Sequence, residues 1–151
     1  NIKMLNQGKK KLKQIPKIEW INANAEKIPV DDNTYDYYTI SYGMRNVSDI
    51  DSVLKEALRI LKPGGRFMCL EFSKIDNEIL KFLYKQYSKA IPYLGKLIVG
   101  SEKPYNYLTQ SIEEFHNQNE LAELMIKNGF VNVEFRNVSG GVSAIHSGWK
   151  I

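Results

Sequence analysis

The sequence predicts an α/β protein, an open sheet with helices between its strands and an antiparallel closing strand, and three observations carry that prediction. Runs of apolar, aromatic and β-branched residues at 35–42, 66–72 and 130–135 read as strands. Apolar residues at helical spacing occupy 49–61 and 118–127 between them. Gly140 and Gly141 then turn the chain into a last short run, 142–145, which makes the final strand antiparallel.

Each element has a local cause. Ile2, Leu5, Leu12 and Ile15 lie among lysines as a weakly amphipathic helix that Pro16 ends. Ile18 to Ile21 reads as a short strand, and 26–33, with Pro29, Asp31, Asp32 and Asn33, as a loop. The strand 35–42 stops abruptly at Gly43. In the clearest helix, Ile50, Val53, Leu54, Ala57, Leu58 and Leu61 recur on one face, with Ser48 or Asp49 as cap. Lys62-Pro63-Gly64-Gly65 stops it, and Arg66 to Phe72 follows as a strand. Asp76 to Ala90 is helical in pattern until Ile91-Pro92-Tyr93 and Gly95 break it, so 91–110 reads as a lid or substrate loop. Gln118 to Lys127 is a helix with Gly129 as its stop, and Phe130 to Phe135 a strand.

Composition removes several function classes. The 151 residues are 43% hydrophobic, enough for one core, so the chain reads as a single domain or part of one, 1–151. No run of about eighteen apolar residues offers a membrane span, and Lys9-Lys10-Lys11 has no apolar stretch behind it to make a signal peptide. The charge of +4 is spread along the chain without an aromatic-interleaved basic stripe, against nucleic-acid binding. Cys69 lies in an apolar run and reads as a buried thiol. His116 and His146 have no second ligand at metal spacing, so no metal site is expected.

Periodicity stops at the fold, and motifs go further. Asn22 to Pro29 resembles the loop that class I methyltransferases place against the adenine of S-adenosyl-L-methionine. Gly43-Met44-Arg45-Asn46-Val47, Leu58 to Arg66 and Leu70-Glu71-Phe72-Ser73-Lys74 together closely resemble the ubiquinone/menaquinone C-methyltransferases, as do Tyr105 to Leu108 and the ending Gly141 to Lys150. The resemblance implies a Rossmann-like class I methyltransferase sheet with helices on both faces. It begins after that family's first two strands, and the chain starts at Asn1 rather than Met, so it reads as the later part of such a domain.

That resemblance implies C-methylation of a polyprenyl hydroquinol at a membrane surface, in a mitochondrial matrix or a bacterial cytoplasm. It assigns catalysis to Arg45 and Asn46, and cofactor contacts to Asn24, Ala25 and Ser41. Glu71, Tyr93, Tyr105 and Tyr107 are further candidates for the substrate mouth. Each has a plainer alternative: Asn24 as a turn residue, Ser41 as a strand-end hydroxyl, Arg45 paired with Asp49 or Asp51, Glu71 and the tyrosines as packing. Two rival readings stay open, another small-molecule methyltransferase and a non-catalytic piece of a quinone-synthesis complex. An incomplete sheet would favour a homodimer or other partner.

Overall fold

In the computed structural model, which describes residues 2–15, 17–75, 77–84, 86–87 and 103–151, the strand-forming runs assemble into one mixed sheet. Its strands are β1 (Tyr35–Ser41), β2 (Leu61–Phe72), β3 (Val131–Val138) and β4 (Ser143–Trp149), in the order β1-β2-β4-β3. β1 runs parallel to β2, and β4 runs antiparallel to both β2 and β3. The antiparallel last strand is therefore as expected, and it inserts between β2 and β3. Register sets Ser41 beside Leu70 and Phe72 beside Ser143, so the ends of β1 and β2 and the start of β4 share one rim.

The helices α1 (Ile2–Lys11), α2 (Ile50–Ile60), α3 (Lys103–Glu114) and α4 (Gln118–Lys127) accompany the sheet, and residues 78–84 and 86–87, between β2 and α3, are helical as well. Asp49 caps α2 by accepting from the Asp51 amide, and the turn buries Val53, Leu54, Ala57 and Ile60. α4 opens with a reciprocal capping box between Asn117 and Glu120, and Gly129, at φ 102°, ends it. Leu121 and Met125 of α4 meet the buried face of α2 and the side chains of Phe67, Cys69 and Phe130 in a single core cluster. Burial there, helped by the charge of Glu71, pushes the Cys69 thiol up to about 12, so it is a packing residue at neutral pH.

The turn after α2 shows why glycine is needed. Gly64 sits at φ 79°, and a Cβ on Gly65 would lie 2.8 Å from the Lys62 carbonyl and 3.2 Å from that of Asp36. Lys150 closes the helix end from the far terminus, its Nζ donating to the Leu61 carbonyl at 2.8 Å and to Asn33 Oδ1 at 2.7 Å.

Three expectations need adjustment. Residues 18–21 form no strand: among the described residues no neighbouring strand offers them a ladder, and extended backbone becomes a strand only when its N–H and C=O groups are paired. Trp20 instead lies against α1, where a Cβ on Gly8 would come within 2.8 Å of the indole. Residues 103–110, expected in a loop, belong to α3, while 91–102 lie outside the described residues. α2 and α4 pack into one core cluster on the same face of the sheet, and Tyr37, Phe135 and Ile145 are exposed. β2 begins at Leu61 rather than Arg66, and β3 and β4 run on to Val138 and Trp149 because each gains a partner along its length.

His146 in β4 is buried, with Nε2 2.9 Å from the Gln118 carbonyl and Nδ1 without a partner among the described residues. Burial holds its pKa below the ordinary 6.5, against a smaller opposing pull from the Gln118 carbonyl. The unfolded chain then binds a proton at a pH where the folded one does not, so the contribution is present above about pH 6.5 and is lost as pH falls. Thermal unfolding followed from about pH 7 to 5 should show a falling midpoint, and His146→Gln should flatten that slope.

Candidate functional site

The rim formed by the ends of β1 and β2 carries a buried cluster of charged and polar groups. β1 ends at Ser41, Tyr42 takes a left-handed conformation at φ 51°, and a single 3-10 turn follows, Met44–Asn46. Met44 is fully buried and anchors that turn in the core. Arg45 is thereby brought against Glu71, the penultimate residue of β2, with Nη1 to Oε1 at 2.7 Å. Glu71 is 1% exposed and Arg45 10%, so this ion pair is shielded from water.

Each end of the pair is further tied down. Glu71 also accepts the Phe72 amide at 2.8 Å and the Arg45 amide at 3.3 Å. Arg45 Nη1 donates to the Tyr42 carbonyl at 2.8 Å, and the guanidinium lies 5.1 Å from the centre of the Phe72 ring. Nε is buried without a partner among the described residues, and no hydrogen bond there engages Nη2. Asn46 accepts the Tyr107 hydroxyl at 2.9 Å, which ties α3 to the 3-10 turn. Lys74 seats α3 from below by donating to the Ile112 and Glu113 carbonyls. Between these elements opens a cleft of about 260 Å³ lined by Arg45, Ile50, Tyr107, Ser111, Phe115 and His116 among others.

The loop that bears Asn24 and Ala25 is clamped onto α2. Glu26 Oε1 accepts the amides of Ser48 and Asp49 at 3.2 Å each, at the start of that helix. Glu56, buried on α2, accepts the Ile28 amide at 2.6 Å. Arg59 donates to the Ile28 and Val30 carbonyls and pairs with Glu56 and Asp32. The Arg59 hydrogen bond, more than any other influence, holds the Glu56 carboxyl below the usual carboxylate range, and the two carboxylates push the Arg59 pKa up.

The expected site residues fall into three groups. Arg45, Asn46, Glu71 and Tyr107 are brought together, with Ser41 on the same rim. Asn24 and Ala25 sit on the clamped loop, Asn24 Oδ1 accepting the Glu26 amide at 3.1 Å, while its Nδ2 has no hydrogen bond among the described residues. Tyr93 and the side chain of Tyr105 lie outside the described residues. Arg45 does not pair with Asp49 or Asp51: Asp49 caps α2 and Asp51 accepts from Asn128 at 2.6 Å. Sequence reasoning missed Glu26, Glu56, Arg59 and Lys74 as supports, although Glu56 and Arg59 stand at the i, i+3 spacing of a helical ion pair.

The arrangement has counterparts among solved structures. A SAM dependent methyltransferase from Aquifex aeolicus superposes with a TM-score of 0.69 at 16% identity, covering 100% of this chain and 65% of that one. A SAM-dependent methyltransferase from Thermotoga maritima does so with 0.58 at 21% identity, over 87% and 63%. The fold is thus that of the class I S-adenosylmethionine-dependent methyltransferases. The chain belongs to the ubiE/COQ5 methyltransferase family, which matches it over residues 1–150. It is 49% identical to a ubiquinone/menaquinone biosynthesis C-methyltransferase of Brucella canis, covering 91% of this chain and 51% of the relative. It is also 49% identical to that of Rickettsia prowazekii, over 100% and 62%. A mitochondrial 2-methoxy-6-polyprenyl-1,4-benzoquinol methylase of Dictyostelium discoideum is 45% identical, over 100% and 51%. The chain therefore spans between about half and three fifths of the length of these relatives.

Proposed function

We propose that the protein carrying this chain methylates a ring carbon of a polyprenyl benzoquinol, or of a demethylmenaquinol, with S-adenosylmethionine as donor. The observation that carries the reading is Arg45, held at Nη1 on the lining of the cleft with Nη2 unbonded among the described residues, and followed in the same 3-10 turn by Asn46. The family supports the donor, and the names of the relatives support the acceptor.

The residues present fit the donor. Asn24 Nδ2 and the Ala25 N–H, neither bonded among the described residues, suit the acceptor nitrogens of adenine, and Ser41 offers a small hydroxyl on the rim. S-adenosylmethionine supplies an electrophilic methyl group on a sulfonium. Arg45 serves the reaction as a fixed cation: Nη2 donates to the quinol oxygen as it becomes phenolate, which makes the neighbouring ring carbon nucleophilic. Asn46, its amide oriented by the Tyr107 hydroxyl, retains a donor for a water that carries the phenolic proton away. Ile50 and Phe115 give the ring an apolar wall and keep bulk water out.

Incubation of the full-length protein with methyl-labelled S-adenosylmethionine and a short-chain 2-methoxy-6-polyprenyl-1,4-benzoquinol should yield a C-methylated product by mass spectrometry and NMR. A methyl group on oxygen would defeat C-transfer, and an unimpaired Arg45→Lys would remove Arg45 from catalysis. Arg59→Met, by loosening the loop of Asn24 and Ala25, should weaken S-adenosylhomocysteine binding in calorimetric titration by about tenfold, or about 1.4 kcal/mol.

A membrane-borne acceptor calls for contact with a lipid surface. Supporting it, Ile79, Phe82, Leu83 and Tyr87 are all exposed at helical spacing after β2, while no described helix is long and apolar enough to cross a membrane. The mitochondrial and bacterial relatives fit a matrix or bacterial cytoplasmic location. The outer edge of β1, unpaired among the described residues, supports docking of a further segment or a second copy.

A further inference from the structure

We propose that Glu71 is a positioning residue for methyl transfer, fixing both the backbone and the guanidinium of Arg45; this rests on the function proposed above. Along β2, Phe67, Cys69 and Glu71 alternate onto one buried face, so a carboxylate stands where two apolar side chains lead. Such a group carries a desolvation cost that its ion pair only offsets, and an apolar pair of the same shape would serve stability equally well. Stability alone therefore does not account for a carboxylate at 1% exposure.

Its geometry does account for it. One oxygen accepts Arg45 Nη1 at 2.7 Å and the other accepts the Arg45 amide at 3.3 Å, so one side chain grips the residue at its main chain and at its tip. The Phe72 amide, at 2.8 Å, fixes the carboxylate itself. With the Tyr42 carbonyl on the same Nη1, the Phe72 ring beside the guanidinium and Nε buried, Arg45 is left with its Nη2 edge to offer, unbonded among the described residues. Glu71 reaches the substrate only through Arg45, and its role is to aim that edge before the substrate arrives.

The test uses the full-length protein, S-adenosylmethionine and the same short-chain benzoquinol. Glu71→Gln keeps the shape and one acceptor for the Phe72 amide, and should lower kcat by about 10- to 100-fold. Calorimetric affinity for S-adenosylhomocysteine should stay within about twofold, since the Asn24 loop is held by other residues. Combined with Arg45→Lys, the losses should be strongly non-additive, the double variant falling within about threefold of the worse single one. Should the glutamine variant fold poorly, Glu71→Asp retains the charge but shortens the reach, and it too should lose kcat by about tenfold or more.

Wild-type kcat in Glu71→Gln or Glu71→Asp, with Arg45→Lys impaired, would overturn the inference and leave the proposed function standing. Additive losses, or a kcat loss matched by an equal loss of S-adenosylhomocysteine affinity, would reduce Glu71 to a structural role and equally overturn it. Full activity in Arg45→Lys would instead overturn the proposed role of Arg45.

Discussion

Replacing Arg45 by methionine is expected to lower both stability and turnover, and a second substitution should separate the two losses. The variant leaves Glu71 buried at 1% exposure with only the amides of Arg45 and Phe72 to solvate it. Removing one partner of a buried ion pair costs about 3–5 kcal/mol, because the remaining charge has lost its compensation. Arg45→Met/Glu71→Met, which replaces the pair by apolar side chains, should recover most of that stability. Turnover should not return, since no cation then faces the quinol oxygen; a loss of about 10²- to 10³-fold is expected for both variants. Chemical denaturation with a parallel methyl-transfer assay checks this, and activity that recovered along with stability would show that Arg45 only holds the fold.

The second large effect lies in the core. Phe67 is fully buried on β2, with its ring 5.5 Å from that of Tyr38 and 5.2 Å from that of Phe130, and it belongs to the cluster that joins the sheet to α2 and α4. Phe67→Ala removes those contacts and leaves a cavity that three separate elements cannot easily close, at a cost of about 3–5 kcal/mol. For a domain of this size that is roughly 10 °C in unfolding midpoint. Phe67→Leu retains most of the volume and should cost about 1.5 kcal/mol or less. Comparable midpoints for wild type and Phe67→Ala would show that the rings do not hold the layers together.

Much of this was legible in the residues because its causes are local. The period of Val53, Leu54, Ala57 and Leu58 is itself the helix face, and Gly129 stops α4 where the sequence placed its end. The paired glycines 64–65 and 140–141 marked turns whose positive φ angles the structure bears out at Gly64, Gly140 and Gly141. The motif Gly43 to Val47 pointed to Arg45 and Asn46, and the family match agrees with the resemblance that motif carries. Where local pattern misled, it lacked a partner term. Ile18 to Ile21 has the composition of a strand and, among the described residues, no ladder to join.

The sequence by itself determined most of the helix, turn and strand-forming segments, that the last strand runs antiparallel, and which family the chain belongs to. Only the tertiary structure decided that Arg45 pairs with Glu71, 26 residues away, instead of with the nearby Asp49 or Asp51. It also joined Tyr107 to Asn46 across 61 residues, clamped the Asn24 loop with Glu56 and Arg59, and set β4 between β2 and β3. The physical reason is one of range: periodicity and capping act within a turn or two of chain. Which donor meets which buried acceptor is settled only when burial removes water as the competing partner.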